Sequence, residues 1–171
     1  ANGWNEEGRR VRVTLTNFGA PTDVVGEVAY RFDGLGRRIE RSEAGFVDMP
    51  PGQSRTQRFV YSGEDIVAEL DAENGNRVQA LYLHGPGIDN VIGALIDHDG
   101  DGILGETNTN ESLTYTKDVL GSVRELSNEN ATLLQRYEYS SYGETKIVKE
   151  GVTEGTDDSL ISQPYAYTGR E

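Results

Sequence analysis

The sequence predicts an all-β fold of consecutive antiparallel β-hairpins, and three observations point to it. Ile66–Leu83 (IVAELDAENGNRVQALYL) and Ser122–Tyr139 (SVRELSNENATLLQRYEY) align without a gap, setting Val67 on Val123, Glu69 on Glu125, Leu70 on Leu126, Glu73 on Glu129, Asn74 on Asn130 and Gln79 on Gln135. A second echo, Tyr-x-x-Asp-x-Leu-Gly, occurs at Tyr30–Gly36 and again at Tyr115–Gly121. Only 35% of the 171 residues are hydrophobic, while 21 are Gly and 9 are Tyr. Glycine supplies the positive φ of tight turns and tyrosine suits half-buried strand faces, so this composition fits thin sheet better than a helical bundle. Helical periodicity is sustained nowhere.

Taken in order, Asn2-Gly3 reads as the second half of a hairpin turn, and Arg10–Thr16 alternates polar residues with Val11, Val13 and Leu15 as a half-buried strand. Gly19–Asp23 is a Pro-containing turn. Val25–Phe32 leads into Asp33-Gly34, a dipeptide favoured in two-residue hairpin turns, and Leu35–Glu40 returns as the partner. Residues 1–42 thus form a first repeat. Residues 43–56 contain Pro50 and Pro51, which remove ladder donors, so they are a loop. The second repeat, 57–96, has strands at Gln57–Tyr61, Glu64–Asp71 and Arg77–Leu83, then a rigid corner at His84–Asp89. It ends in the wholly apolar Val91–Ile96, expected to be buried on both faces. Residues 97–111 are an acidic, Gly-rich insertion. The third repeat, 112–148, holds strands at Ser112–Lys117, Ser122–Leu126, Leu133–Tyr139 and Gly143–Val148. Residues 149–171 are a charged loop closing in an edge strand over Leu160–Thr168.

A net charge of −13 and a pI near 4.5 repel polyanions, which argues against nucleic acid and anionic membranes as partners and for cations. With no Cys there is neither a disulfide framework nor a thiolate site. No apolar run is long enough to span a bilayer, and no signal peptide is visible. The abrupt start and finish read as a piece excised from something longer.

The insertion Asp97-His-Asp-Gly-Asp-Gly-Ile-Leu-Gly-Glu-Thr-Asn108 is the candidate ion site. Alternating Asp97, Asp99 and Asp101 converge three carboxylates, Gly102 permits the sharp turn, and the Ile103 carbonyl falls where EF-hand-type loops use a backbone oxygen. Hard oxygen ligands at this spacing favour Ca²⁺. The twelfth position, normally a bidentate Glu, is Asn108, with Glu106 and Glu111 nearby but out of register. The plainer alternative is a solvated acidic turn.

His84, before Gly-Pro-Gly, is a corner residue, and His98 occupies a non-ligand position of the Asp loop. No Ser or Asp partner stands at a recognisable spacing for nucleophilic catalysis. The tyrosines are expected to form cross-strand aromatic pairs within the sheet. Asn110-Glu-Ser112 and Asn130-Ala-Thr132 are formal glycosylation sequons.

Six stretches in series resemble the Rhs/YD-repeat family, which includes bacterial polymorphic-toxin shells, the C component of insecticidal Tc toxins and animal teneurins. They are Tyr30–Arg38, Ile66–Asp71 with Asn74–Asn76, Tyr82–Asp89, Asp118–Val123, Arg136–Tyr139 with Tyr142-Gly143, and Pro164–Glu171. The resemblance implies that the hairpins form a curved, extended sheet, part of a shell or barrel that encloses a cargo polypeptide. In bacterial relatives an aspartyl autoprotease segment lies just past the equivalent of Glu171, so no catalytic residue is carried over here. Thr116 stands where relatives have a histidine shortly before the Leu-Gly-Ser turn. The implied role is a non-catalytic wall segment, secreted or at the cell surface, whose partners are the rest of the shell and its cargo. Open strand edges also invite self-association. The alternative is a calcium-dependent extracellular adhesion or carbohydrate-binding module.

Overall fold

The computed structural model describes residues 2–6, 9–17, 20–46, 53–87, 90–105, 110–141, 144–148 and 165. Twelve strands and no helix lie among them, in two compact units, Ala1–Val78 and Gln79–Glu171. The first unit contains β1 (Asn2–Trp4), β2 (Arg10–Asn17), β3 (Ala20–Phe32), β4 (Arg38–Ala44), β5 (Ser54–Ser62) and β6 (Asp65–Asp71). The second holds most of β7 (Arg77–His84), then β8 (Val91–Asp97), β9 (Asn110–Lys117), β10 (Val123–Ser127), β11 (Leu133–Tyr139) and β12 (Thr145–Val148). Within each unit every strand pairs antiparallel with its predecessor in the chain, the consecutive-hairpin order that the sequence predicts.

One turn design recurs between these strands. At Asn5–Arg9, Asp33–Arg37, Asp118–Ser122, Asn128–Thr132 and Ser140–Glu144, the first residue's N–H donates to the carbonyl of the fifth, at 2.9–3.1 Å. The fifth residue's N–H donates back to the first residue's side-chain oxygen: Asn5 Oδ1, Asp33 Oδ1, Asp118 Oδ1, Asn128 Oδ1 or Ser140 Oγ. Short polar side chains suit this position because they can satisfy a turn amide that the ladder leaves unpaired. Both copies of Tyr-x-x-Asp-x-Leu-Gly end in it, and their glycines take φ of 88° at Gly36 and 85° at Gly121. The predicted two-residue turn at Asp33-Gly34 is therefore a longer loop, with Asp33 as its cap and Gly36 as its left-handed residue.

Strand alternation builds the cores. In the first unit Val28, Phe59, Ile66 and Ala68 are buried, and the Arg38 guanidinium lies 4.9 Å from the Phe59 ring centroid and 5.8 Å from that of Tyr30. Buried Glu43 is held by Arg41 and by Arg55 at 2.6 Å, so its charge is paired twice. In the second unit Tyr82 lies opposite Ala94, which in turn lies opposite Leu113. Tyr115 lies opposite Leu126, which lies opposite Gln135, and all six side chains are buried. The Gln135 amide meets the Tyr137 hydroxyl, which gives a buried polar group its partner.

Other expectations also change. Val91–Ile96 is not buried on both faces: Val91 and Ala94 are, but Ile92 sits next to the register break between Leu83 and His84 and is 42% exposed. The expected turn at Gly19–Asp23 is mostly strand, because β3 starts at Ala20 and absorbs its extra residues as irregularity opposite Thr16 and Asn17. The loop expected over 43–56 is shorter, since β4 runs to Ala44 and β5 begins at Ser54, paired from Glu40↔Arg58 to Ala44↔Ser54. Pro50, Pro51 and the edge strand expected over Leu160–Thr168 lie outside the described residues, Tyr165 excepted.

Candidate functional site

The acidic loop begins where β8 ends, and β9 returns from it. Asp97, Asp99 and Asp101 place one carboxylate oxygen each within 4.8 Å of the others. Oxygens on a shell of radius about 2.4 Å, the Ca²⁺–oxygen distance, span at most about twice that, so the three carboxylates fit one such ion. The loop backbone folds around its own aspartates. Gly100 N–H donates to Asp97 Oδ1 at 2.8 Å and Gly102 N–H to Asp97 Oδ2 at 2.7 Å, while Ile103 N–H donates to Asp101 Oδ1 at 2.7 Å. Such turns need left-handed backbone, and Gly100 and Gly102 supply it with φ of 75° and 83°.

Desolvation pushes the Asp97 carboxyl upward, but the amides of Gly102 and Gly100, together with hydrogen bonds from Asp99, outweigh it and hold Asp97 below its ordinary value of 3.8. Asp97 thus ionises more readily than a free aspartate. His98 Nε2 lies 3.0 Å from Glu111 Oε2, so Glu111 is engaged with the histidine outside the cluster. Of the five residues predicted as ligands, Asp97, Asp99 and Asp101 come together. Ile103 adjoins them through its amide, and Asn108 lies outside the described residues.

A second constellation escaped the sequence reading. The Tyr165 ring, 4% exposed, stands edge-on to Tyr82 at 5.2 Å, to His84 at 5.8 Å and to Tyr115 at 6.3 Å. Interplanar angles of 75–90° are those that the aromatic quadrupole prefers. Tyr137 and Tyr139 stack in parallel at 6.4 Å, and Tyr139 donates to the Val123 carbonyl at 2.5 Å. Burial, with the negative field of Tyr137 added, pushes the Tyr139 hydroxyl up to about 12. Since Tyr82, Tyr115, Tyr137 and Tyr165 are buried, they offer no open ring face on which a sugar could stack.

Among solved structures, the chain is similar along its length to part of a chain in a crystal structure of TcdB2-TccC3, with a TM-score of 0.64 and 18% identity. The fold is that of a Tc toxin segment. The match covers 99% of this chain and 8% of the toxin chain, so this chain spans a small part of the proteins that share its fold. The crystal structure of TcdB2-TccC3-Cdc42 matches likewise, at TM-score 0.62, 19% identity, and 99% and 8% of the two chains. The Photorhabdus luminescens Tc holotoxin pore matches over 84% of this chain and 6% of that one, at TM-score 0.55 and 17% identity. No protein-family model and no curated protein matches. The Tc toxin fold agrees with the Rhs/YD resemblance carried by the Tyr-x-x-Asp-x-Leu-Gly turns. No helix is long and apolar enough to cross a membrane.

Proposed function

We propose that this chain is a non-catalytic wall segment of an Rhs/YD-type shell, which encloses a toxin or effector polypeptide and helps deliver it outside the cell. The observation that carries the reading is the Tc toxin fold, matched over 99% of the chain by only 8% of a much longer one. The physics supports it: hairpins in chain order each bury only part of their surface, so a ribbon of them gains stability by adding neighbours. Net charge of −13 favours solubility of a large particle. The test is electron microscopy of the parent protein together with protease challenge. A β-walled chamber and a polypeptide protected from digestion are expected; a parent without a chamber, or one whose cargo digests as fast as free peptide, overturns the reading.

We further propose that the acidic loop holds a structural Ca²⁺ through Asp97, Asp99 and Asp101, with the Ile103 carbonyl and Asn108 completing the shell. Three carboxylates within 4.8 Å repel one another, and a divalent cation relieves this while tying β8 to β9. Calcium should raise the melting temperature relative to EDTA, and calorimetry should show a single site. Asp97→Asn with Asp101→Asn should abolish both signals. An unchanged melting temperature and no heat of binding would identify a plain acidic turn.

A further inference from the structure

Two Asn-Gly dipeptides occur in the chain, Asn2-Gly3 and Asn74-Gly75. Such a pair has its own chemistry. Glycine has no Cβ to shield its amide nitrogen, which can therefore close a succinimide ring onto the side-chain carbonyl carbon of the asparagine before it. The fold puts the two pairs in different settings. Asn2 and Gly3 lie in β1 opposite Val13 and Arg12, and a Cβ on Gly3 would stand 3.2 Å from the Arg12 Cβ, so pairing and crowding hold that backbone extended. Asn74-Gly75 lies in the turn after β6, where Glu73, Asn74, Gly75 and Asn76 are all exposed. Gly75 takes φ of 72°, and no heavy atom comes within 4 Å of where its Cβ would be.

The Asn74 side chain also helps to cap this turn. Its Nδ2 donates to Asp71 Oδ2 at 2.5 Å, while Asp71 Oδ1 accepts the amides of Glu73 at 2.9 Å and Asn74 at 3.2 Å. Desolvation raises the Asp71 carboxyl, and the Asn74 side chain is foremost among the groups that outweigh it. A carboxylate in place of the Asn74 amide would set acceptor against acceptor and negative charge against negative charge.

We propose that Asn74-Gly75 is a self-modifying site, at which Asn74 converts to aspartate and isoaspartate and so uncaps the turn at Asp71. The Gly75 nitrogen bonds to Asn74 Cγ and gives up its proton, the Cγ–Nδ2 bond breaks, and Nδ2 leaves with that proton as ammonia. Water then opens the ring at either carbonyl. Water is the only co-reactant, and no electrons are exchanged. Gly34 is as open as Gly75, but the residue before it is Asp33, a carboxylate engaged by Leu35 and Arg37 that has no ammonia to release. Each conversion at Asn74 adds a negative charge, and isoaspartate also lengthens the main chain of the turn by one carbon.

The experiment ages the whole folded chain in warm, mildly alkaline buffer and maps its peptides by mass spectrometry, with isoaspartate methyltransferase as a second readout. Asn74 is expected to show the mass change of an amide-to-acid exchange, and to react with the methyltransferase, before Asn2 does either. Gly75→Ala should slow the conversion about tenfold or more, because a Cβ hinders ring closure. An Asn74 that stays intact in the folded chain while the denatured chain converts, or that converts no faster than Asn2, overturns the site. The uncapping has its own test in Asn74→Asp, which makes the aspartate product directly and should lower the melting temperature, whereas Asn74→Gln should resist ageing. An Asn74→Asp chain that melts with the unaltered one rejects the uncapping.

Discussion

Asp118 Oδ1 accepts the amides of both Leu120 and Ser122, and Asn128 Oδ1 does the same for Asn130 and Thr132, so each turn rests on one side-chain oxygen. Removing that oxygen strands two donors. Asp118→Ala should lower stability by about 1–2 kcal/mol in denaturant titration, and Asp118→Asn should restore most of it. The two turns differ at the left-handed position, which is Gly121 in one and Ala131, with φ of 58°, in the other. Left-handed backbone crowds a Cβ, so Ala131→Gly should stabilise by about 0.5–1 kcal/mol, a gain unusual for a glycine substitution. Acid should undo the caps that are carboxylates. Desolvation raises Asp33 and Asp71, but hydrogen bonds outweigh it: from the Arg37 and Leu35 amides and the Arg37 guanidinium at Asp33, and from Asn74 and the Glu73 amide at Asp71. Both pKa values end below 3.8, so the stability is complete above that pH and falls as the pH drops through the lower folded values. Thermal midpoints followed below about pH 4 should decline, and less so in an Asp33→Asn variant.

At the scale of the strand pair, β3 and its surroundings decide how tightly the first unit packs. Gly26 faces Phe46, and a Cβ there would meet three ring atoms at 2.8–2.9 Å. A ring cannot bend away as a flexible chain end can, so Gly26→Ala should cost about 1–3 kcal/mol, recovered when Phe46→Leu is added. This is also the scale at which the sequence was most legible. Turn residues punctuate the chain often enough that the existence and order of β4 to β11 could be read from Gly, Asn and Asp clusters between apolar runs. The extents of β3, β4 and β5 could not, because pairing to a neighbour extends a strand through residues of poor propensity such as Ala20–Asp23. Asp33-Gly34 misled for a related reason: the dipeptide signals a short turn, but the Asp33 caps on Leu35 and Arg37 favour a longer one. In the acidic loop the convergence of Asp97, Asp99 and Asp101 was legible, since alternate spacing around a glycine turn is a local rule. The seat of Tyr165 was not, because nothing local links that residue to β7 and β9.

For the whole molecule, the balance is between strand edges and charge. Among the described pairings β1 bonds only to β2 and β12 only to β11, and β12 carries Ile147 at 38% exposure. A second copy that added a strand would pair at such an end of the ladder, whereas a net charge of −13 pushes copies apart. Salt screens the repulsion over about 10 Å at 0.1 M and leaves backbone pairing almost untouched. Self-association measured by light scattering should therefore grow with ionic strength, opposite to the behaviour of an assembly held by ion pairs. Ile147→Glu adds charge where β12 would meet another strand, so it should keep the chain monomeric at salt concentrations where the unaltered chain associates. If instead salt dissolves the assembly, or Ile147→Glu leaves it unchanged, charge attraction or another surface joins the copies. Pairing at β12 would then have no part in building a larger wall.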